Sequence, residues 1–166
     1  EESTLAQIRS LLGDEDLNVV ISDISPRLTG RYDTDQAISL ELSATVLDVA
    51  IDVLIPGGTF VTKTFQGTGI EGLVEAAKDR FSNVQRFAPT ASRNSSSETY
   101  LICRNKLPSP RKRASGRTAM QQVSDHLSSL GIVTEPEDLD DSVTPMVGLR
   151  KPVSYTHLTQ PTNREV

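Results

Sequence analysis

Short apolar runs alternate with longer segments of helical periodicity up to about Arg104, and this alternation restricts the chain to few folds. Val19-Val20-Ile21 is uniformly apolar, as is typical of a strand buried on both faces of a parallel sheet. From Thr34 to about Leu54, apolar side chains recur at the spacing of an amphipathic helix. Pro56-Gly57-Gly58 is expected to end that helix, because proline removes a backbone donor and glycine permits positive φ.

The other predicted elements complete this alternating pattern. They are a helix over Leu5–Leu12 with Gly13 as its stop, a strand over Thr59–Phe65, a helix over Glu71–Phe81, and strands over Val84–Phe87 and Glu98–Cys103. Strands that alternate with helices predict an α/β fold with a mostly parallel sheet of about four strands. The last two strands have no helix between them, so we expect them to form an antiparallel pair.

The composition is typical of a soluble protein in a reducing compartment. Cys103 is the single cysteine, which excludes an intramolecular disulfide framework and suits the cytoplasm. No stretch approaches the roughly 20 apolar residues that a membrane-spanning helix needs, and Glu1-Glu2-Ser3 is not the start of a signal peptide. The formal net charge of −5 counts mildly against a nucleic-acid partner.

The second part of the chain has a different composition. Residues 1–105 are predicted to form the folded domain, and residues 106–152 a basic and then acidic linker or tail. That tail is expected to be mostly disordered, with one helix over Thr118–Leu130. Its basic run, Arg111-Lys112-Arg113, is interpreted as a solvated linker, with contact to RNA phosphates as the alternative. Residues 153–166 resemble translated adapter sequence and are interpreted as non-native.

Three ionisable residues lie at the ends of the predicted strands. Asp23 follows Val19-Val20-Ile21, Lys63 lies near the end of the next strand, and Glu98 begins the last one. In open α/β sheets, ligands bind beyond the carboxyl ends of the strands. Each residue taken singly also has an ordinary structural explanation: an Asx-turn for Asp23, a solvated strand end for Lys63, and a common acidic strand start for Glu98.

The flanking residues carry a resemblance to a known family. Ser22-Asp23-Ile24-Ser25-Pro26, Leu54-Ile55-Pro56-Gly57-Gly58, Thr62-Lys63-Thr64-Phe65-Gln66-Gly67 and Ser97-Glu98-Thr99-Tyr100 together resemble the C-terminal half of the FtsJ/RrmJ family of RNA ribose 2'-O-methyltransferases. The resemblance covers about residues 3–104. It implies part of a Rossmann-like methyltransferase sheet, S-adenosyl-L-methionine as cofactor and RNA as substrate. The resemblance also implies that Lys63 is the catalytic lysine. It implies that Asp23 contacts this lysine and the cofactor, and that Glu98 is the third residue of this part of the site.

The family's upstream lysine and glycine-rich cofactor loop have no counterpart in this sequence. We therefore expect the chain to be the C-terminal half of a methyltransferase, marginally stable and inactive by itself, although the complete protein is expected to be a monomeric enzyme. Its inner strand should expose an edge that is normally paired. A non-catalytic RNA-binding module that retains this half-fold is the alternative from another functional class.

The substrate implied by the resemblance is RNA, with large-subunit ribosomal RNA as the leading expectation and the tRNA anticodon loop as the alternative. Arg93, Asn94 and Ser95 are predicted RNA contacts, with an ordinary polar loop as the competing interpretation. No Cys/His cluster is present, so no metal is expected. Cys103 is interpreted as a small buried apolar side chain.

A charge argument about Lys63 accompanies these assignments. Asp23 and Glu98, if both lie near Lys63, would favour its protonated form and raise its pKa. Bound RNA and a cationic cofactor would act in the opposite direction, through desolvation and charge repulsion. We therefore expect Lys63 to orient the substrate hydroxyl in every state, and to accept its proton only when both ligands are bound.

Overall fold

The computed structural model describes residues 2–13, 15, 17–88 and 98–132. Its helices are α1 (Glu2–Leu12), α2 (Tyr32–Val53), α3 (Ile70–Lys78) and α4 (Ala119–Ser129), and a short 3-10 turn spans Lys112–Ala114. Its strands are β1 (Leu17–Ser22), β2 (Leu54–Phe65), β3 (Phe81–Phe87) and β4 (Glu98–Lys106). The predicted order of helices and strands is confirmed.

The four strands form one mixed sheet in the order β1-β2-β4-β3. β1 and β2 run parallel, while β4 is antiparallel to both β2 and β3. The predicted antiparallel pairing of the last two strands is thus confirmed. Because β1, β2 and β3 point the same way, their carboxyl ends and the amino end of β4 share one edge of the sheet. We call this end of the sheet the catalytic edge, after the role that the resemblance implies for the three ionisable residues that lie on it.

The core lies between the sheet and helices α2, α3 and α4. Leu47 and Leu73 contribute to it from the helices, and Phe60 and Leu101 from the sheet. The ring of Phe60 stacks with that of Phe81, with 6.5 Å between ring centroids. Burial of these side chains is the main source of stability, at roughly 1.5–3 kcal/mol for each large apolar group.

The environment of β1 differs from the prediction. Val20 packs on the core, but Val19 and Ile21 are exposed, so the strand is not buried on both faces. Within the described residues β1 pairs only with β2, and its other side is an edge of the sheet. The unpaired strand edge that was expected is therefore the free side of β1, within the described residues.

Two predicted boundaries are wrong. The helix α2 ends at Val53, close to the predicted Leu54, but β2 begins at Leu54 and not at Thr59. Pro56-Gly57-Gly58 therefore lies inside β2, where the pairing with β1 shifts register. The next helix ends at Lys78, and Phe81 begins β3, where it is buried and stacks on Phe60. In both places long-range pairing extends a strand into residues that local propensity assigns elsewhere.

The segment after β4 packs on the core. The predicted fourth helix is present and begins with a capping box, in which Thr118 accepts from the backbone of Gln121 and the Gln121 side chain accepts from the backbone of Thr118. Val123 and Ala119 of this helix are buried, as is Ala114 before it. Up to Ile132 the segment is therefore part of the packed fold, whereas an open linker was predicted for its first half. The residues beyond lie outside the described part of the chain.

Two basic residues, Lys106 at the end of β4 and Arg113 after it, bond to other parts of the fold. Lys106 donates to the carbonyl oxygens of Ile51 and Leu54, which satisfies the end of α2. Arg113 pairs with Asp79 and Glu75. Arg111 and Lys112 of the basic run are exposed, so its contact to RNA phosphates stays a prediction. Among the described residues, no helix is long and apolar enough to cross a membrane.

Candidate active site

The structure brings Asp23, Lys63 and Glu98 together at the catalytic edge. The Nζ atom of Lys63 lies 2.8 Å from Oδ1 of Asp23 and 3.8 Å from Oε1 of Glu98. The lysine side chain is only 12% exposed, whereas the two carboxylates are 73% and 45% exposed. A nearly buried cation thus lies between two acids that face solvent. The three residues lie close together, as expected from their positions at the strand ends.

Sheet pairing accounts for this convergence. Lys63 is on β2, a central strand, with β1 on one side and β4 on the other. Asp23 directly follows the carboxyl end of β1, and Glu98 begins β4 from the opposite direction. Only antiparallel pairing of β4 with β2 places the start of one strand beside the end of the other.

Two serines of α2 hold the end of β2 in place. The hydroxyl of Ser43 donates to the carbonyl of Ser39 at 2.7 Å and lies 3.3 Å from the carbonyl of Lys63. The backbone N–H of Phe65 donates to the hydroxyl of Ser39 at 3.2 Å. Both serines are buried, so these bonds fix the backbone that carries Lys63. Sequence reasoning missed this role, because small polar residues inside an amphipathic helix have no distinctive pattern.

The connection between β1 and α2 is fixed by the carboxylate of Asp35. It accepts hydrogen bonds from the backbone and hydroxyl of Thr29, at 2.8 and 2.7 Å, and from the backbone of Gly30 at 3.2 Å. These bonds lower the pKa of Asp35. The hydroxyl of Tyr32 donates to the carbonyl of Gln66, which ties the start of α2 to the residues after β2. The connection that begins at Asp23 is therefore fixed near its end by Asp35, and the start of α2 is fixed to the residues that follow β2.

The electrostatics of Lys63 agree with the charge argument. The hydrogen bond to Asp23 raises the pKa of Lys63 most, burial opposes it, and the charges of Asp23 and Glu98 raise it further. Lys63 is therefore a cation at neutral pH in the unliganded chain. In that state it can orient or stabilise an oxygen, but it cannot accept a proton.

Tyr100 also adjoins Lys63, and no role was predicted for it. The two residues are paired directly across β2 and β4, and Tyr100 contributes to the electrostatic environment of the lysine. The available signal was the motif Ser97-Glu98-Thr99-Tyr100, in which the period of a strand places Glu98 and Tyr100 on the same face.

The remaining predicted residues divide into two groups. Arg93, Asn94 and Ser95 lie outside the described residues, so their RNA contacts stay a prediction. Cys103 is buried in β4, as predicted, and burial raises the pKa of its thiol to about 12. Among the described residues, no group of three or more His, Cys, Asp or Glu side chains is arranged to hold a metal ion.

The exposed carboxylate of Asp23 is suited to a cationic ligand. Its side chain is 73% open to solvent, at the end of the sheet where α/β sheets bind ligands. A positively charged cofactor beside this carboxylate would be favoured electrostatically. The exposed carboxylate therefore fits a positively charged cofactor of the kind that the resemblance implies.

Comparison with known proteins identifies the family. The FtsJ-like methyltransferase family profile matches residues 1–106. The chain belongs to this family. A Ribosomal RNA large subunit methyltransferase E of Haloarcula marismortui is 40% identical over 115 residues, which are 66% of this chain and 44% of that protein. The protein of the same name from Nitratidesulfovibrio vulgaris (strain DP4) is 51% identical over 86 residues, or 52% of this chain and 42% of the relative.

A solved structure agrees at the level of the fold. The crystal structure of a ribosomal RNA methyltransferase from Plasmodium falciparum superposes with a TM-score of 0.55 at 24% identity, over 64% of this chain and 56% of the other. The present chain spans less than half the length of the two relatives from Haloarcula marismortui and Nitratidesulfovibrio vulgaris. The predicted fold class and family resemblance are both confirmed.

Proposed function

We propose that this chain carries the methyl-acceptor side of an S-adenosylmethionine-dependent RNA ribose 2'-O-methyltransferase, with large-subunit ribosomal RNA as substrate. The observation that carries the proposal is the position of Lys63 between Asp23 and Glu98 at the catalytic edge of a fold of this family. The relatives named as large-subunit ribosomal RNA methyltransferases support the choice of substrate.

The cofactor supplies an electrophilic methyl group on a positively charged sulfur. The task of the protein is then to present a ribose hydroxyl in line with that methyl group, and orientation alone can contribute several kcal/mol to such a reaction. Lys63 is proposed to donate a hydrogen bond to the hydroxyl oxygen and to stabilise the negative charge that develops on it. Asp23 and Glu98 hold the ammonium group in place from two sides.

The raised pKa of Lys63 sets the order of events in this proposal. In the unliganded site the lysine is protonated and acts as a donor. RNA binding would remove water from the site and weaken the charged form, since desolvation lowers the pKa of a lysine. Lys63 is then able to take the hydroxyl proton only in the complex with both ligands.

Exposed arginines at the same edge support an RNA substrate. Arg27 and Arg31 lie in the connection that leaves the carboxyl end of β1, and both side chains are exposed. Such side chains attract phosphates locally, whatever the net charge of the chain. A tRNA anticodon loop is the alternative substrate, and with either substrate the proposed location is the cytoplasm.

The decisive test is methyl transfer by the full-length gene product. Transfer of a labelled methyl group to large-subunit ribosomal RNA should fall at least about 100-fold in Lys63→Ala, in line with the loss of an acid–base group. Lys78→Ala is the matched control, because Lys78 is an exposed lysine on α3 that pairs with Glu75 on the surface. It should keep full activity.

Two further outcomes separate the alternatives. Lys63→Arg keeps a cation but cannot act as a base, so full activity in this variant would exclude proton abstraction by Lys63. Full activity in Lys63→Ala would contradict the proposed function altogether. RNA binding without any methyl transfer by the unaltered full-length protein would favour the non-catalytic RNA-binding alternative.

A further inference from the structure

Three side chains form a row across the sheet at the level of the proposed active site. Lys63 of β2 is paired with Tyr100 of β4, and Tyr100 is in turn paired with Phe87 of β3. Residues directly opposite one another in antiparallel strands project from the same face. The row therefore begins at the lysine and continues through two aromatic rings.

The row lies on the face of the sheet opposite the helices. The neighbouring row, Thr62 with Leu101 and Arg86, projects to the helix side, where Leu101 is buried in the core and Arg86 pairs with Glu71 of α3. Successive residues of a strand alternate between faces. On the other face the side chain of Phe87 is 54% exposed.

The spacing of the row matches the size of a nucleotide. Neighbouring strands lie about 4.8 Å apart, so the backbone of Phe87 is roughly 10 Å from that of Lys63. This is the distance over which a ribose hydroxyl and the base of the same or an adjacent nucleotide extend. A ribose held at Lys63 would thus place an unpaired base over the ring of Tyr100 or Phe87.

The aromatic members of the row favour recognition through bases. Aromatic rings bind unpaired bases by stacking, which does not depend on phosphate charge.

We infer that Tyr100 and Phe87 form a stacking surface for unpaired bases of the RNA substrate, which positions the target ribose at Lys63. This inference rests on the proposed function. It assigns to the two aromatic residues a positioning role, and it predicts a preference for single-stranded over duplex RNA, because paired bases cannot lie on the rings.

The test is binding of a fluorescently labelled oligouridylate by the 166-residue chain, measured by fluorescence anisotropy. Phe87→Ala and Tyr100→Ala should each raise Kd about 5- to 150-fold, which corresponds to the roughly 1–3 kcal/mol that a stacked base contributes. Phe87→Tyr and Tyr100→Phe keep a ring and should bind within about twofold of the parent. An abasic ribose-phosphate chain of the same length should bind at least about tenfold more weakly.

Leu130→Ala is the matched control, since Leu130 is an exposed apolar side chain at the end of α4, away from the row. It should leave Kd unchanged. The inference is overturned if the chain does not bind the oligouridylate, if the alanine variants bind like the parent, or if the abasic chain binds equally well. Circular dichroism of each variant verifies that the fold is retained.

Methyl transfer by the full-length gene product separates this inference from the proposed function. In Phe87→Ala we expect KM for RNA to rise while kcat changes less, because stacking positions the substrate and takes no part in the chemical step. If Lys63→Ala abolishes transfer while the ring variants leave KM and Kd unchanged, only the stacking surface is contradicted. If binding depends on the rings but Lys63→Ala keeps full activity, the proposed function fails and the binding surface remains.

Discussion

Two regions of the molecule that hold a buried or nearly buried charge differ in the partners of that charge. At the catalytic edge, Lys63 is nearly buried while Asp23 and Glu98 are open to solvent. In the second region, between α3 and α4, the buried side chains of Asp79 and Arg80 both bond to the side chain of Gln122. We call this the α3–α4 network. Its other members are Gln122, Arg113 and the backbone of Arg117.

Each buried group of the α3–α4 network has a partner within the fold. Arg80 donates to the carbonyl of Ala76 at 2.8 Å, to the carbonyl of Arg117 at 2.6 Å and to the side chain of Gln122. Asp79 accepts from Arg113 and from Gln122. Such a network joins α4 to α3 and has a structural role. The catalytic edge leaves carboxylate oxygens open to solvent, which is typical of a site for a ligand.

The largest expected effect on stability is in the α3–α4 network. Arg80→Met should lower the free energy of unfolding by about 3–5 kcal/mol, because it leaves the partners of a buried charge without a donor. Urea denaturation of the chain at pH 7 measures this directly.

Arg86→Met is the matched control for that variant. Arg86 pairs with Glu71 on the surface, and both side chains are about half exposed, at 48% and 57%. Such a pair contributes less than about 1 kcal/mol. Equal losses in the two variants would show that the α3–α4 network does not hold α4 on the core.

A smaller effect is expected where α2 caps α4. The carboxylate of Asp48 accepts from the backbone of Ala119 at 2.6 Å and of Met120 at 3.1 Å, at the amino end of α4. Asp48→Ala should cost about 1–2 kcal/mol, as for the loss of a helix cap. The free energy of unfolding at pH 7 is again the measurement, and a loss below about 0.3 kcal/mol would contradict the capping role.

Asp48 also gives a pH dependence with a definite sign. Burial raises the pKa of this carboxyl above 3.8, the backbone bonds opposing it only in part. Folding therefore favours the protonated form, and the contribution of Asp48 decreases as pH rises from about 3.8 through the folded pKa. The stability advantage of the parent over Asp48→Asn should be larger at pH 4 than at pH 7. A larger advantage at pH 7 would show that the backbone bonds outweigh burial.

The smallest effect on stability is expected at the catalytic edge. Lys63→Met should change the free energy of unfolding by less than about 1 kcal/mol, because the carboxylate partners are exposed and solvent screens the pairs. The pKa of Lys63 is raised above 10.5, so its contribution is fully present below that pH and is lost as pH rises through the folded pKa. Urea denaturation at pH 7 and at pH 11 measures both points. A loss as large as that in Arg80→Met would remove the contrast between the two regions.

Local pattern was sufficient to predict the elements and the members of the candidate site. Apolar periodicity gave the order of helices and strands, including α4, and the position of Asp23, Lys63 and Glu98 at strand ends placed them at one edge. These features depend on near neighbours in sequence, which is why a single sequence contains them. The catalytic roles of the three residues stay a prediction.

Element boundaries and exposure depended on pairing between distant residues. Pro56-Gly57-Gly58 joins β2, and Phe81 joins β3, because partner strands supply their environment. Val19 and Ile21 are exposed because nothing in the described part of the chain covers their face of the sheet. Local propensity contains no information about such partners.

The sequence by itself determined the alternation of elements, the family and the ionisable residues at the strand ends, because each depends on residue type and short-range spacing. Only the tertiary structure decided which side chains meet. The antiparallel return of β4 places Glu98 and Tyr100 beside Lys63 and brings Phe87 into the same row. The packing of α4 likewise turns basic residues of an apparent linker into partners of Asp79 and Glu75. Contacts of this kind depend on strand order and register, which are set by burial across the whole sheet.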